Sequence, residues 1–235
     1  VFHESQIHYI IDVMNDKTCP QHDLWLASQS PRRRKMLRWL DVPFEATASD
    51  IDETPRNGES PATLAVRLAR AKAHAVDGSV GLGWILAADT VVAFAGISLG
   101  KPADAAEARL MLRRLREDMH TVHTGVTLYD AATDQTHTRR VTTEVWMRPY
   151  DDVEIEAYVA SGDPFDKAGG YAIQHAGFTP VARVDRCYAN VMGLPLCAVI
   201  ALLRQADCDL TLNPRALCRE KFAYDCPAID EGERV

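Results

Sequence analysis

The spacing of apolar residues changes period several times along this chain. Leu24, Trp25, Leu26 and Ala27 form a continuous apolar run, the pattern of a short buried strand. Met36, Leu37 and Leu40 then recur at helical spacing, behind Ser30, a good N-cap, and Pro31, which is favoured at the first helical position. Residues 44–48 read as a strand. Over 61–77, Leu64, Ala65, Leu68, Ala69, Ala71, Ala75 and Val76 share one broad helical face, with Arg67, Arg70 and His74 opposite. Residues 83–95 are a second buried strand, apolar except at Asp89-Thr90. A helix over 104–116 turns Ala106, Leu110, Met111 and Leu115 inward. Strands over 120–130 and 136–146 pair as a hairpin across Ala131-Ala132-Thr133-Asp134. His120 and His123 read as strand-surface residues. A short helix capped by Asp151 runs to Ala160, strands begin at Tyr171-Ala172-Ile173-Gln174 and run over 178–184, and a closing helix ends at Arg204.

This alternation predicts an α/β fold with a mixed, elongated and curved sheet flanked by helices, in two lobes with a central cleft. Residues 1–22 read as an N-terminal extension, 23–204 as the domain, and 205–235 as a C-terminal extension without a clear period.

Composition narrows the function classes. The net charge of -7 argues against broad nucleic-acid binding, which needs a basic surface. No run approaches the roughly 18 apolar residues of a membrane span, and no signal peptide is visible, so a cytoplasmic protein with no membrane partner is expected. Cys19, Cys187, Cys197, Cys208, Cys218 and Cys226 show no zinc-finger spacing and are expected to be reduced thiols.

The candidate chemistry lies where charge breaks the apolar pattern. Arg32, Arg33, Arg34 and Lys35 crowd a helix start, where the dipole already disfavours cations by roughly 0.3–1 kcal/mol each. A bound phosphate offsets that cost, while a solvated basic turn simply tolerates it. Lys72 falls near the middle of an apolar helix face, so it meets a partner, loses its proton or snorkels. Asp89 interrupts a buried strand, which costs several kcal/mol unless it meets a cation or metal or stays protonated; it is either a functional acid or part of a bulge or structural hydrogen bond. The loop from Ser49 to Pro55 alternates Asp and Glu; it is either a hard-cation site or a polar turn. Lys101 stands after a Gly turn and points back toward Asp89. Asp166-Lys167 precedes Ala168-Gly169-Gly170, whose glycines allow close backbone approach to a ligand.

In order and spacing, SQSPRRRKML, the DIDE loop, AVRLARAKA, AADTVV, LGKP, HTVHTGV, DKAGGYAIQ and NVMGLPL resemble the Maf family over about Leu24–Leu203. The resemblance implies a fold like that of inosine-triphosphate pyrophosphatases. It also implies hydrolysis of a nucleoside triphosphate to the monophosphate and pyrophosphate with a divalent cation, Mg²⁺ or Mn²⁺. DKAGGYAIQ looks like the branch acting on dTTP and UTP. By resemblance Asp89 is the proton acceptor, and Glu53 and Lys72 join it at the catalytic centre. Glu53 and Asp89 are the expected metal ligands. Ser28, Arg32, Arg33, Thr90, Lys101, Lys167 and Gln174 are expected to bind substrate. The family also implies a homodimer, and an alternative role as a nucleotide-binding regulator of septum formation. Three departures stand out: Arg116-Glu117-Asp118 for a Ser-Gly turn, His175 after Gln174 where Gly is usual, and Arg186 for a common Gly or Ser.

Overall fold

Strand β3 (Trp84–Phe94) carries the rest of the sheet. In the computed structural model, which describes residues 23–235 apart from 77, 79, 80, 82, 209 and 228–230, one whole edge of β3 pairs antiparallel with β5 (Met119–Asp130). The other edge is shared. Strand β1 (Leu24–Ala27) runs parallel to its first residues, Leu24 opposite Trp84 and Leu26 opposite Leu86. Strand β4 (Ile97–Leu99) returns antiparallel onto its last residues, Val92 to Phe94. The return uses a two-residue turn, Ala95-Gly96, with φ of 49° and 78°, the conformation that suits the twist of a tight hairpin. Residues 87–91 are therefore left without a strand partner on that edge, and Asp89 and Thr90 lie in the gap.

The sheet continues outward on both sides. Strand β2 (Glu45–Thr47) lies parallel to β1, and β6 (Gln135–Met147) and β7 (Val181–Asp185) extend antiparallel from β5, giving the order β2-β1-β3-β5-β6-β7. A two-residue β8 (Glu233–Arg234) also pairs with β6. Asp130 sets the hairpin turn, its carboxylate accepting from the Ala132 N–H and the Thr133 hydroxyl.

The period of two along β3 assigns its neighbours. Odd positions Ile85, Ala87 and Val91 pack toward helix α2 (Pro61–Ala75). Even positions Leu86 and Ala88 join helix α1 (Pro31–Arg38) in one core, and Val92 joins helices α3 (Ala105–Leu115) and α4 (Asp152–Ala160) in another. Two lobes thus share one face of the sheet, and Thr90 stands between them. Asp89, an odd position, faces α2. The fold is the predicted mixed α/β sheet flanked by helices.

Helix ends follow their sequence signals. Ser30, Ser60, Asp104 and Asp151 each accept a backbone N–H in the first turn, and Asp151 with Glu154 forms a reciprocal capping box. The chain then closes with α5 (Tyr188–Val191) and α6 (Leu196–Gln205).

Several expectations change or fall outside the described residues. The N-terminal extension, 1–22, lies outside them. On α3, Leu110 and Ala106 face solvent, and Ala108 and Leu112 turn inward with Met111 and Leu115. The 205–235 segment is not without structure: α7 (Pro214–Phe222) is capped by Asn213, and Phe222 packs edge-on to Trp39 of the domain at 5.3 Å. That Asn-Pro start was a legible helix signal that the search for a period passed over. Tyr171-Ala172-Ile173-Gln174 is not a strand but follows a 3₁₀ turn, because no neighbouring strand offers it a ladder. His120 is buried, not at the strand surface; it faces the α3–α4 core and bonds Tyr171 Oη at 2.7 Å. Cys208 is disulfide-bonded, whereas Cys187, Cys197, Cys218 and Cys226 are buried thiols. Arg186 takes φ of +78°, the left-handed conformation that explains why a small residue suits this turn. Among the described residues no helix is long and apolar enough to cross a membrane.

Candidate active site

The gap on β3 opens into a cleft of about 1180 Å³ between the two lobes. All ten residues singled out from the sequence line it: Ser28, Arg32, Arg33, Glu53, Lys72, Asp89, Thr90, Lys101, Lys167 and Gln174. They converge from seven separate segments, and their environments differ.

At the centre Lys72 Nζ donates to Asp89 Oδ1 at 2.6 Å and pairs with Glu53 Oε1 at 2.7 Å. Helical spacing brings Lys72 down onto the odd face of β3, where Asp89 points. Both are buried, so each makes the other's burial tolerable. Among the described residues no hydrogen bond reaches Asp89 Oδ2. Burial pushes the Asp89 carboxyl above the usual carboxylate range, while Lys72 and Arg33 pull it back down. Glu53 is more exposed, and its loop is anchored rather than loose. Arg67 of α2 forks onto Glu59 at 2.7 and 2.9 Å and reaches the Thr54 carbonyl at 3.0 Å.

On the even face Arg33 is fixed by two bonds. Its Nε donates to the Gly193 carbonyl at 2.8 Å and its Nη2 to Thr90 Oγ1 at 3.1 Å. Thr90 Oγ1 also shares a hydrogen with Thr124 Oγ1, 2.9 Å away. The Thr90 hydroxyl is thus engaged in orienting Arg33, and any bond to a nucleobase is additional to that. Burial lowers the Arg33 pKa and Asp89 offsets this, yet a guanidinium stays charged. Ser28 is buried in the turn into α1, its hydroxyl accepting the Ser30 N–H at 3.2 Å. Arg32 and Lys101 are exposed on the cleft wall without an ion pair among the described residues.

Lys167 is placed differently from the sequence expectation of a bare point charge. Its Nζ bonds the Asp163 carbonyl at 2.6 Å, Asp163 Oδ1 at 2.9 Å and Asp166 Oδ1 at 2.5 Å. It clasps the turn that carries Ala168-Gly169-Gly170. The close approach that Gly169 permits is to protein: a Cβ there meets Val92 at 3.0 Å, with φ at +73°. Gln174 is exposed and reaches the Tyr188 hydroxyl.

Sequence reasoning missed the supports. Thr124, Asn190 and Gly193 hold the Arg33–Thr90 pair from below. Fully buried Asn190 donates from Nδ2 to the Val122 carbonyl at 2.9 Å and to Thr143 Oγ1 at 3.0 Å. Gly125, opposite Asp89 in the ladder, lets α2 approach: a Cβ there lies 2.4 Å from the Ala65 carbonyl oxygen. The TGV and NVMG strings were the available signals, but neither carries a charge that would draw attention.

Two carboxylates on one ammonium, beside fixed and free cations, make a site that holds a polyanion and accepts a proton. Sequence comparison points the same way. A dTTP/UTP pyrophosphatase of Salinibacter ruber is 50% identical over 194 residues, 82% of this chain and 94% of that protein. One from Geobacter sulfurreducens is 48% identical over 180 residues, 77% and 94% of the two chains. One from Myxococcus xanthus is 48% identical over 187 residues, 80% and 94%. A solved nucleoside-triphosphatase / dITP/XTP pyrophosphatase of Mycobacterium abscessus has a TM-score of 0.35 at 19% identity, over 53% of this chain and 74% of that one, too loose a likeness to bear on function. The family model for Maf-like proteins matches residues 23–206, so this chain belongs to the Maf-like protein family.

Proposed function

We propose that this protein hydrolyses nucleoside triphosphates, dTTP and UTP foremost, to the monophosphate and pyrophosphate. The observation that carries the reading is the Lys72–Asp89–Glu53 cluster at the strand gap, with Arg33 fixed beside it. The likeness to the dTTP/UTP pyrophosphatases of Salinibacter ruber and Geobacter sulfurreducens, at 48–50% identity, supports the choice of nucleotide.

The chemistry follows from the side chains. Arg32, Arg33 and Lys101 hold the triphosphate, and the α1 start adds the Arg32 N–H, since Pro31 has none and the Arg33 N–H is taken by the Ser30 cap. A water on Asp89 Oδ2 gives its proton to that oxygen as the water oxygen bonds to the α-phosphorus. The bond from the α-phosphorus to the α–β bridging oxygen breaks, and pyrophosphate leaves with that electron pair. A carboxyl raised by burial is a better proton acceptor than an exposed one. Lys72 holds Asp89 in place through Oδ1 and leaves Oδ2 for the water. Most of the barrier reduction is positioning and charge neutralisation, as expected for phosphoryl-type transfer.

Glu53 and Asp89 also fit a divalent cation. Glu53 and Asp89 are the residues that would hold it: both carboxylates converge on the Lys72 ammonium, a point that already favours positive charge, and hard carboxylate donors suit Mg²⁺ or Mn²⁺. When bound, the ion neutralises phosphate charge and acidifies a nearby water. Residues 23–204 are the catalytic unit on this reading, with 205–235 a packed addition. A homodimer and a cytoplasmic location belong to the same reading, and light scattering tests the first.

The test is product analysis by ³¹P NMR with dTTP and UTP, with Mg²⁺ or Mn²⁺, for the native chain and Asp89→Asn. Monophosphate plus pyrophosphate, lost in the variant by 10²-fold or more, is expected for a general base. Diphosphate plus orthophosphate would refute the pyrophosphatase reading. Tight nucleotide binding without turnover would instead favour the regulator of septum formation.

A further inference from the structure

The cleft has two chemically different walls. The α1–β3–β4 wall carries the cations Arg32, Arg33 and Lys101. The 172–176 wall offers no free cation, because the neighbouring Lys167 is taken up by Asp163 and Asp166, whose two carboxylates leave that side net negative. Beside that clasp the wall presents the Gln174 amide and the His175 imidazole, both lining the cleft. A triphosphate belongs at the first wall and its base at the second.

His175 is held in one orientation. Its Nδ1 accepts the Gly177 N–H at 3.2 Å, so the neutral ring carries its proton on Nε2. The ring meets Tyr158 at 4.9 Å and 68°. Tyr158 is itself locked. Its hydroxyl donates to Asp163 Oδ2 at 2.7 Å and accepts the Ala172 N–H at 2.9 Å, and its ring stacks on Phe178 at 4.4 Å. Among the described residues His175 Nε2 has no partner. A fixed N–H donor thus stands in the cleft wall beside Gln174 with nothing to donate to.

We propose that His175 is a specificity-determining residue whose Nε2–H donates to the C4 carbonyl oxygen of a uracil or thymine base and thereby disfavours cytosine. This rests on the proposed pyrophosphatase reading. Uracil and thymine present a carbonyl at C4, whereas cytosine presents an amino group, and two donors facing each other are repulsive. Gln174 cannot enforce the choice, because its amide turns to offer oxygen or nitrogen as needed. The imidazole cannot turn without breaking its bond to Gly177 and its contact with Tyr158. A site with a committed donor disfavours the mismatched base because a donor is left facing a donor.

The test is kcat and KM for UTP and CTP with the native chain, His175→Leu and His175→Gln, with melting temperatures to confirm folding. His175→Leu is expected to lose about tenfold in kcat/KM for UTP, mainly through KM, with CTP unchanged or better. His175→Gln is expected to keep UTP turnover and to gain CTP, since its amide suits either base. Equal losses for both nucleotides, or an unchanged UTP:CTP ratio in both variants, would overturn the assignment. If the native chain turns over no nucleotide, the pyrophosphatase reading falls alone. Calorimetric binding of UTP and CTP to the same three proteins then decides the His175 assignment by the same ratio.

Discussion

The Lys72 ammonium stands 2.6 Å from the Asp89 carboxylate, 17 residues away in sequence, and holds Glu53 on its other side. Its positive charge is one of the two that keep the buried Asp89 from rising further toward neutrality. Lys72→Met removes that charge. The Asp89 pKa then goes up, so the acid limb of the kcat/KM profile moves to higher pH. Activity at neutral pH falls by 10²-fold or more, and Lys72→Arg restores part of it. A profile that keeps its acid limb would detach Lys72 from the titration of the base.

Gly125→Ala tests how closely α2 must lie. The added methyl meets Ala65 O at 2.4 Å and Val66 Cα at 2.8 Å, both backbone atoms that cannot rotate away. The helix has to lift, at a cost of about 1–3 kcal/mol. Because α2 carries Lys72 onto Asp89, kcat should fall along with the melting temperature. Full activity in a destabilised variant would mean that the Lys72–Asp89 distance is not critical.

Thr90→Val keeps the shape of the side chain and removes the hydroxyl. Arg33 loses one of its two anchors and the fully buried Thr124 hydroxyl loses its partner on β3. Destabilisation of about 1–2 kcal/mol is expected by urea unfolding. KM for the triphosphate should rise more than kcat falls, with Thr90→Ser restoring both. If KM is unmoved, Arg33 is held by Gly193 alone.

His120 gives the fold an acid-sensitive point. Burial pushes its imidazole down to about 4, and its Nδ1 has no partner among the described residues. The unfolded chain, with an ordinary value near 6.5, binds more protons between those values, so stability is complete above about pH 6.5 and declines as pH falls toward 4. The loss is about 3 kcal/mol over that window. His120→Gln should flatten the fall in urea midpoint between pH 6.5 and 4.5. An unchanged slope would place the acid sensitivity elsewhere.

Much of the fold was legible because local signals are strong here. Ser-Pro at two helix starts, Asp caps at two more and long apolar strands fix elements from neighbours within a few residues. Two of the misreadings share one cause. His120 looks like a surface residue in an alternating strand until α3 and α4 cover that face. Tyr171-Ala172-Ile173-Gln174 has strand composition, but a strand needs a partner, and the sheet ends elsewhere. The candidate site was legible as residues but not as geometry. Lys167 reads as a substrate cation, and only its distances to Asp163 and Asp166 reveal a clasp.

By itself the sequence determined most of the strands and helices of the first 160 residues, and which charges stand on apolar faces, because these follow from periods of 2 and 3.6 and from capping chemistry. Only the tertiary structure decided that β1 and β4 stop short of each other on one edge of β3 and leave Asp89 and Thr90 open. It alone decided that Lys72 would meet Asp89 from one face while Arg33, 57 residues from Thr90 and 160 from Gly193, met them from the other. Those contacts depend on how the sheet is ordered and how closely α2 lies on Gly125, which no local pattern encodes.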